Sequence, residues 1–98
     1  MTIETKRNGK ELIVELSGRL DATTAPTLEK EMSENIHDID QLILDFEGVE
    51  YISSAGLRVV LNDQKKMQQM GEMKVINVCE EVMDVFEMTG FVEILHIE

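Results

Sequence analysis

The chain has 98 residues, 43% of them hydrophobic, which fits one folded domain over residues 1–98 and excludes both a two-domain arrangement and disorder. Its formal net charge of −11 opposes binding to DNA, RNA or an anionic membrane and favours a partner with a basic patch, though acidity also serves plain solubility. Cys79 is alone, so neither an internal disulfide nor a zinc cluster is expected; "MTIETKRNGK" holds no signal-peptide core and no apolar run nears the ~20 residues of a membrane span, so a cytoplasmic protein is expected.

In chain order, "MTIETKR" and "ELIVELSG" read as short strands; in the second, Leu12, Val14 and Leu16 alternate with Ile13 and Glu15. Asn8-Gly9 between them tolerates the positive φ of a tight turn, so an antiparallel hairpin is expected. Gly18 should break the second strand. A helix should begin at Thr24 or Ala25, with Pro26 in its first turn, where no amide donor is needed, and Leu28, Met32 and Ile36 on one face.

"QLILDF" has the short apolar run of a strand covered on both faces, as in a parallel sheet. Residues 54–70 form the longest predicted helix: Leu57, Val60, Leu61, Gln64 and Met67 make its inner stripe, Arg58, Asn62, Lys65 and Gln69 face out, and Gly71 stops it. "MKVINV" is a further strand. "CEEVMDVFEMTG" is a helix with Val82, Val85 and Phe86 turned inward and Gly90 at its end, and "VEILHI" is a last strand. The predicted fold is α/β, in the order β-β-α-β-α-β-α-β: a mixed, mainly parallel sheet with an N-terminal β-hairpin, packed against helices. A sheet face without helices must carry polar side chains.

Chemistry is sparse. A serine nucleophile needs a base and an orienting carboxylate, yet His37 and His96 are not placed by sequence near "YISSAGLR", and "ISSAG" is not G-x-S-x-G, so no catalytic residue is expected. His37-Asp38-x-Asp40 reads as a solvated connection and no metal site is expected. "GVEYISSAG" lacks the lysine and glycine spacing of phosphate-binding loops, so no cofactor is expected. Cys79 precedes a helix, where a thiol pKa falls, but a bystander cysteine is the default. Ser53 and Ser54 remain. A serine at a helix start caps free amides, contributing about 1 kcal/mol. The same amides and the helix dipole tolerate an anion, so a phosphate there would not unfold its own helix.

Three blocks, "GRLDATTAPTLEKEM", "LILDFEGVEYISSAGLRVVL" and "VINVCEEVMDVFEMTGF", resemble the STAS domain family, and specifically its single-domain bacterial anti-sigma factor antagonists. The resemblance covers nearly the whole chain, in family order and spacing. It implies a sheet packed on helices and a partner switch. The unphosphorylated protein binds an anti-sigma factor that is also a serine kinase, freeing a sigma factor. Phosphorylation abolishes binding, and a serine phosphatase resets the system. Such a protein is a kinase substrate and ligand, not an enzyme. A monomer is expected on separate grounds, because no strong coiled-coil or exposed apolar stripe stands out in the sequence.

The family's acceptor lies in D-S-[ST]-G-L. Anchored on Gly56-Leu57, Ser54 takes the acceptor position, Ala55 the second hydroxyl position and Ser53 the place of the aspartate. Ser54 is therefore the implied phosphorylation site and Ser53 the second choice. Asp21 matches the aspartate of the family's G-x-L-D block, which implies that it binds the partner or holds the acceptor region; a turn or cap role is the alternative. Thr23 and Thr24 belong to the same implied patch. Gly56 would let a partner approach, or only relieve crowding at the strand-to-helix turn. Leu57 is read as core. Arg58 faces out and could meet an acidic partner residue or a phosphate. Two other circuits use such a fold without a sigma factor: a different kinase-controlled pathway, and a docked subunit of a transporter or lipid-transport complex.

Overall fold

A computed structural model describes residues 1–98. Strand β1 (Thr2–Asn8) turns through Gly9 and Lys10 into β2 (Glu11–Leu20). Gly9 carries the positive φ, 63°, that the turn requires, and Asn8 closes the strand before it. Then follow α1 (Ala25–Asn35), β3 (Gln41–Ile52), α2 (Ser54–Met70), β4 (Glu72–Ile76) and α3 (Glu80–Met88), with a 3₁₀ turn at Phe91–Glu93. The strands lie in the order β1-β2-β3-β4, the first pair antiparallel and the others parallel. Each parallel crossover steps to the next strand in the same direction, so right-handed connections put α1 and α2 on one face. That face holds the core: Leu12, Val14 and Leu16 of β2, Leu42, Leu44 and Phe46 of β3, Met73 and Val75 of β4. α3 covers the same face, with Phe86 6.1 Å from Phe46, ring to ring. The opposite face carries Glu4, Lys6, Glu15, Asp45 and Lys74 among its side chains, with Lys6 bonded to Glu15 at 3.0 Å.

Two expectations about strands need correction. Gly18 does not end β2. It takes φ 102°, which a side chain rarely tolerates, and the strand continues to Leu20. The reason lies in β3, which gains one residue on β2 between Glu15 and Ser17 and another between Gly18 and Arg19. These bulges reset the inward alternation, so Val49 and Ile52 are buried and "QLILDF" is only half of a 12-residue strand. The second correction is "VEILHI". Gly90, at φ 79°, turns the chain into the 3₁₀ segment, where Phe91 stacks on Phe86 at 6.2 Å. Only Val75 and Ile97 then pair, as an isolated bridge, so the sheet has four strands rather than five.

α2 spans the predicted residues, but its buried side is rotated: Gly56, Leu57, Val59, Val60, Asp63 and Met67 are inside, while Leu61 and Gln64 are half-buried. Asp63 is the single charged residue in the buried set, 2% exposed, and its Oδ2 has no hydrogen-bond partner. At the far end of α2, Gly71 donates its N–H to the Met67 carbonyl at 2.7 Å. A Cβ on Gly71 would stand 1.9 Å from the backbone oxygen of Asp40, which itself accepts the Glu72 N–H at 2.9 Å. Gly71→Ala is therefore expected to cost about 2–3 kcal/mol of stability, read as a lowered urea midpoint; an unchanged midpoint would refute the backbone clash.

Candidate functional site

The ends of β2 and β3 lie side by side, with Leu20 opposite Ile52. Two loops leave there: Asp21–Thr24 toward α1, and Ser53 into α2. They are tied together by the Ser53 N–H, which donates to the Leu20 carbonyl at 2.9 Å. Gly56 is buried behind this tie. A Cβ on it would meet Leu20 Cγ at 2.6 Å, the Leu20 oxygen at 2.9 Å and Ile52 Cγ1 at 2.9 Å. Packing alone accounts for a glycine at this position, and Leu57 beside it is core, as the sequence suggested.

The two serines differ sharply. Ser54 is the first residue of α2 and is exposed. Ser53 is the residue before the helix, but its hydroxyl makes no capping bond; Oγ is buried and has no partner at all. The expected capping role is therefore not used by Ser53. Its backbone does the local work instead, through the tie to Leu20 and by accepting the Leu57 N–H at 2.9 Å. Ser54 stands at the positive end of a 17-residue helix, where an anion is favoured by the free amides and the dipole. Arg58, four residues on, is exposed on the same side of the helix.

In the neighbouring loop, Asp21 Oδ1 accepts from the Thr23 N–H at 3.0 Å, the Thr23 hydroxyl at 2.7 Å and the Thr24 N–H at 3.2 Å. The Thr23 hydroxyl bond, then the Thr23 amide, with Thr24 adding to them, hold the Asp21 carboxyl below the usual carboxylate range. The turn role thus occupies one oxygen and leaves Oδ2 directed toward Arg19, 3.8 Å from its Nε. The Thr24 hydroxyl is used inside the loop: it donates to the Arg19 carbonyl at 2.7 Å and accepts the Asp21 N–H at 2.9 Å. Thr23 keeps an exposed side chain at the rim.

The structure also brings Arg19 and Tyr51 to this edge, which sequence reading passed over. They are register partners, and the Arg19 guanidinium carbon sits 4.0 Å from the centre of the Tyr51 ring. Their pairing depends on both bulges in β3 and has no signature in the sequence.

No histidine joins the serines. His37 lies in the connection before β3, at the opposite end of that strand, and His96 contacts Glu98 at 2.9 Å beside β4. Cys79 precedes α3 and donates its thiol to the Val49 carbonyl at 3.4 Å. The surface has two depressions, on the open sheet face and on α1, and neither is lined by Ser53 or Ser54. The serine turn lies outside both depressions. No helix is long and apolar enough to cross a membrane.

The sequence pattern of the STAS domain family matches residues 2–98. BtrV of Bordetella bronchiseptica, named as an anti-sigma factor antagonist, is 38% identical over 85 residues, 85% of this chain and 73% of that protein. The anti-sigma F factor antagonist of Paenibacillus polymyxa is 32% identical over 100 residues, 99% of this chain and 86% of that one. Among solved structures, the Bacillus cell fate determinant SpoIIAA in its phosphorylated form superposes with a TM-score of 0.77 at 18% identity, covering 99% of this chain and 91% of that one.

Proposed function

The chain belongs to the STAS domain family, and from that membership and its exposed serine turn we propose that it is an anti-sigma factor antagonist working by partner switching. The unphosphorylated protein binds a kinase-type anti-sigma factor through the edge formed by Asp21, Thr23, Ser54 and Arg58, and a sigma factor is released. The bound kinase transfers the γ-phosphoryl group of ATP to Ser54 Oγ: an oxygen–phosphorus bond forms, the bond to ADP breaks, and the hydroxyl proton passes to the kinase. A serine phosphatase returns the protein to its binding form by hydrolysis.

The observation that carries the choice of residue is the contrast between the serines. A kinase must reach the hydroxyl, and Ser54 is exposed while Ser53 Oγ is buried. The helix end accommodates the new dianion, so phosphorylation leaves the fold intact and acts on the partner. Relatives named as anti-sigma factor antagonists, and a structural neighbour described in a phosphorylated form, support this reading.

Incubation with the anti-sigma factor and ATP, followed by peptide mass spectrometry, is expected to place one phosphate on Ser54. Phosphate on Ser53 would move the acceptor by one residue. A chain that binds the kinase but carries phosphate on neither serine would defeat the switch.

A further inference from the structure

Three arginines occur in the chain, and they are used differently. Arg7, though exposed, is engaged within the chain, donating Nε to the Gly9 carbonyl at 3.1 Å and Nη2 to the Asp38 carbonyl at 2.8 Å. Arg58 is exposed on α2. The Arg19 side chain makes no hydrogen bond; it forms only a long ion pair, its Nε 3.8 Å from Asp21 Oδ2. Its side chain is 57% exposed, and its guanidinium carbon sits 4.0 Å from the centre of the Tyr51 ring, itself 40% exposed. The contact with the ring holds the guanidinium at the surface, where its N–H groups remain open to solvent. A guanidinium with open N–H groups can take a carboxylate with two parallel bonds.

The setting strengthens this. With 20 acidic residues against 9 basic ones, most of the surface repels an acidic group. An exposed guanidinium held only by a long ion pair to Asp21, at the serine edge, is a local exception. Aromatic and arginine side chains are also the types that dominate protein interfaces, and one already held by a neighbour loses less freedom on binding.

We propose that Arg19, held over Tyr51, docks an Asp or Glu side chain of the protein partner, extending the binding surface from the Asp21 and Ser54 loops onto the open face of the sheet. Arg19 supplies the charge and the two-donor fork; Tyr51 orients it. The contact gives the acidic protein a point of opposite sign, which fixes how a mainly basic partner face is set down. This inference rests on the proposed function, because it needs an anti-sigma factor as the partner.

The test is calorimetric titration of the full chain with the anti-sigma factor kinase, unphosphorylated and with ADP. Binding by the wild-type chain is required first; its absence would defeat the proposed function, not the arginine contact alone. Given binding, Arg19→Glu is expected to weaken affinity about 100-fold, and Arg19→Lys and Tyr51→Leu about 5- to 10-fold each. The last two should be non-additive when combined, since both act through one contact. All four chains should melt near the wild-type temperature because both residues are exposed. An Asp→Arg or Glu→Arg change in the kinase that restores binding to Arg19→Glu identifies the docked residue. Affinities within twofold of wild type would overturn the inference while leaving the switch standing. So would a change confined to the rate of Ser54 phosphorylation, which would assign Arg19 to the phosphate instead.

Discussion

At pH 8 the Asp63→Asn variant is expected to be more stable than the parent chain by about 2–4 kcal/mol. Asp63 lies in α2 on the side that meets the core, and burial, above all, pushes its pKa up from 3.8 to about 7; Glu29 adds to this and Lys66 opposes it. In the unfolded chain the group ionises at its ordinary pKa. From pH 4 upward the unfolded state therefore gives up the proton while the folded state keeps it, and stability falls until the folded carboxyl also ionises near pH 7. Asparagine has no charge to bury, though its amide meets the same lack of partners that Oδ2 does. Urea unfolding of both chains at pH 8, 6.5 and 5 is the measurement. The advantage of the variant should shrink by about half or more between pH 8 and pH 5. A gap of constant size would mean that Asp63 is not carried as a neutral acid.

The second large effect concerns binding. Ser54→Asp is expected to weaken affinity for the anti-sigma factor kinase by about 30-fold or more, roughly 2 kcal/mol, in the absence of ATP. One carboxylate carries less charge than a phosphate and fewer acceptor oxygens, so it sets a lower bound on what phosphorylation does. Ser54→Ala should bind within about threefold of wild type, because the free serine hydroxyl is not required to hold the loop: Ser53 makes the tie to Leu20 through its backbone. That variant should also stay bound when ATP is added, since it offers no acceptor. Fluorescence anisotropy of labelled kinase gives both numbers. Equal affinity for the Asp and Ala variants would show that negative charge at residue 54 is not what releases the partner. Circular dichroism should show the helix intact in both, as a residue in the first turn tolerates an acidic side chain.

Much of this was legible in the sequence because period and punctuation agreed. The alternation Leu12, Val14, Leu16, the turn glycine at position 9, Pro26 and the stripe of α2 each pointed to the element that formed. What was missed has two causes. Bulges in β3 shift the alternation without a local signal, which hid Val49, Ile52 and the pairing of Arg19 with Tyr51. Apolar character also misled where packing decides: "VEILHI" has the residues of a strand, yet Phe91 is drawn onto Phe86 and Gly90 turns the chain first. At the candidate site, the motif pointed to Ser54 and Asp21, but nothing in the sequence separates a buried hydroxyl on Ser53 from the exposed residue beside it. Asp63 escaped notice because an aspartate in a helix reads as surface.

The isolated bridge at Ile97 still covers part of the sheet's margin. β4 is an outer strand, and an outer strand with free backbone groups is a template on which another molecule can grow a sheet. Here the last residues double back against it. Val75 donates its N–H to the His96 carbonyl at 2.9 Å and accepts the Glu98 N–H at 2.9 Å, and Lys74 adds an ion pair to Glu98 at 3.5 Å. A single bridge thereby occupies both backbone groups of Val75 near the end of β4, beside the charged side chains of Lys74 and Glu98. With that pair occupied, this edge is less open to strand addition by another chain, and the contact lies away from the ends of β2 and β3 that carry Asp21 and Ser54.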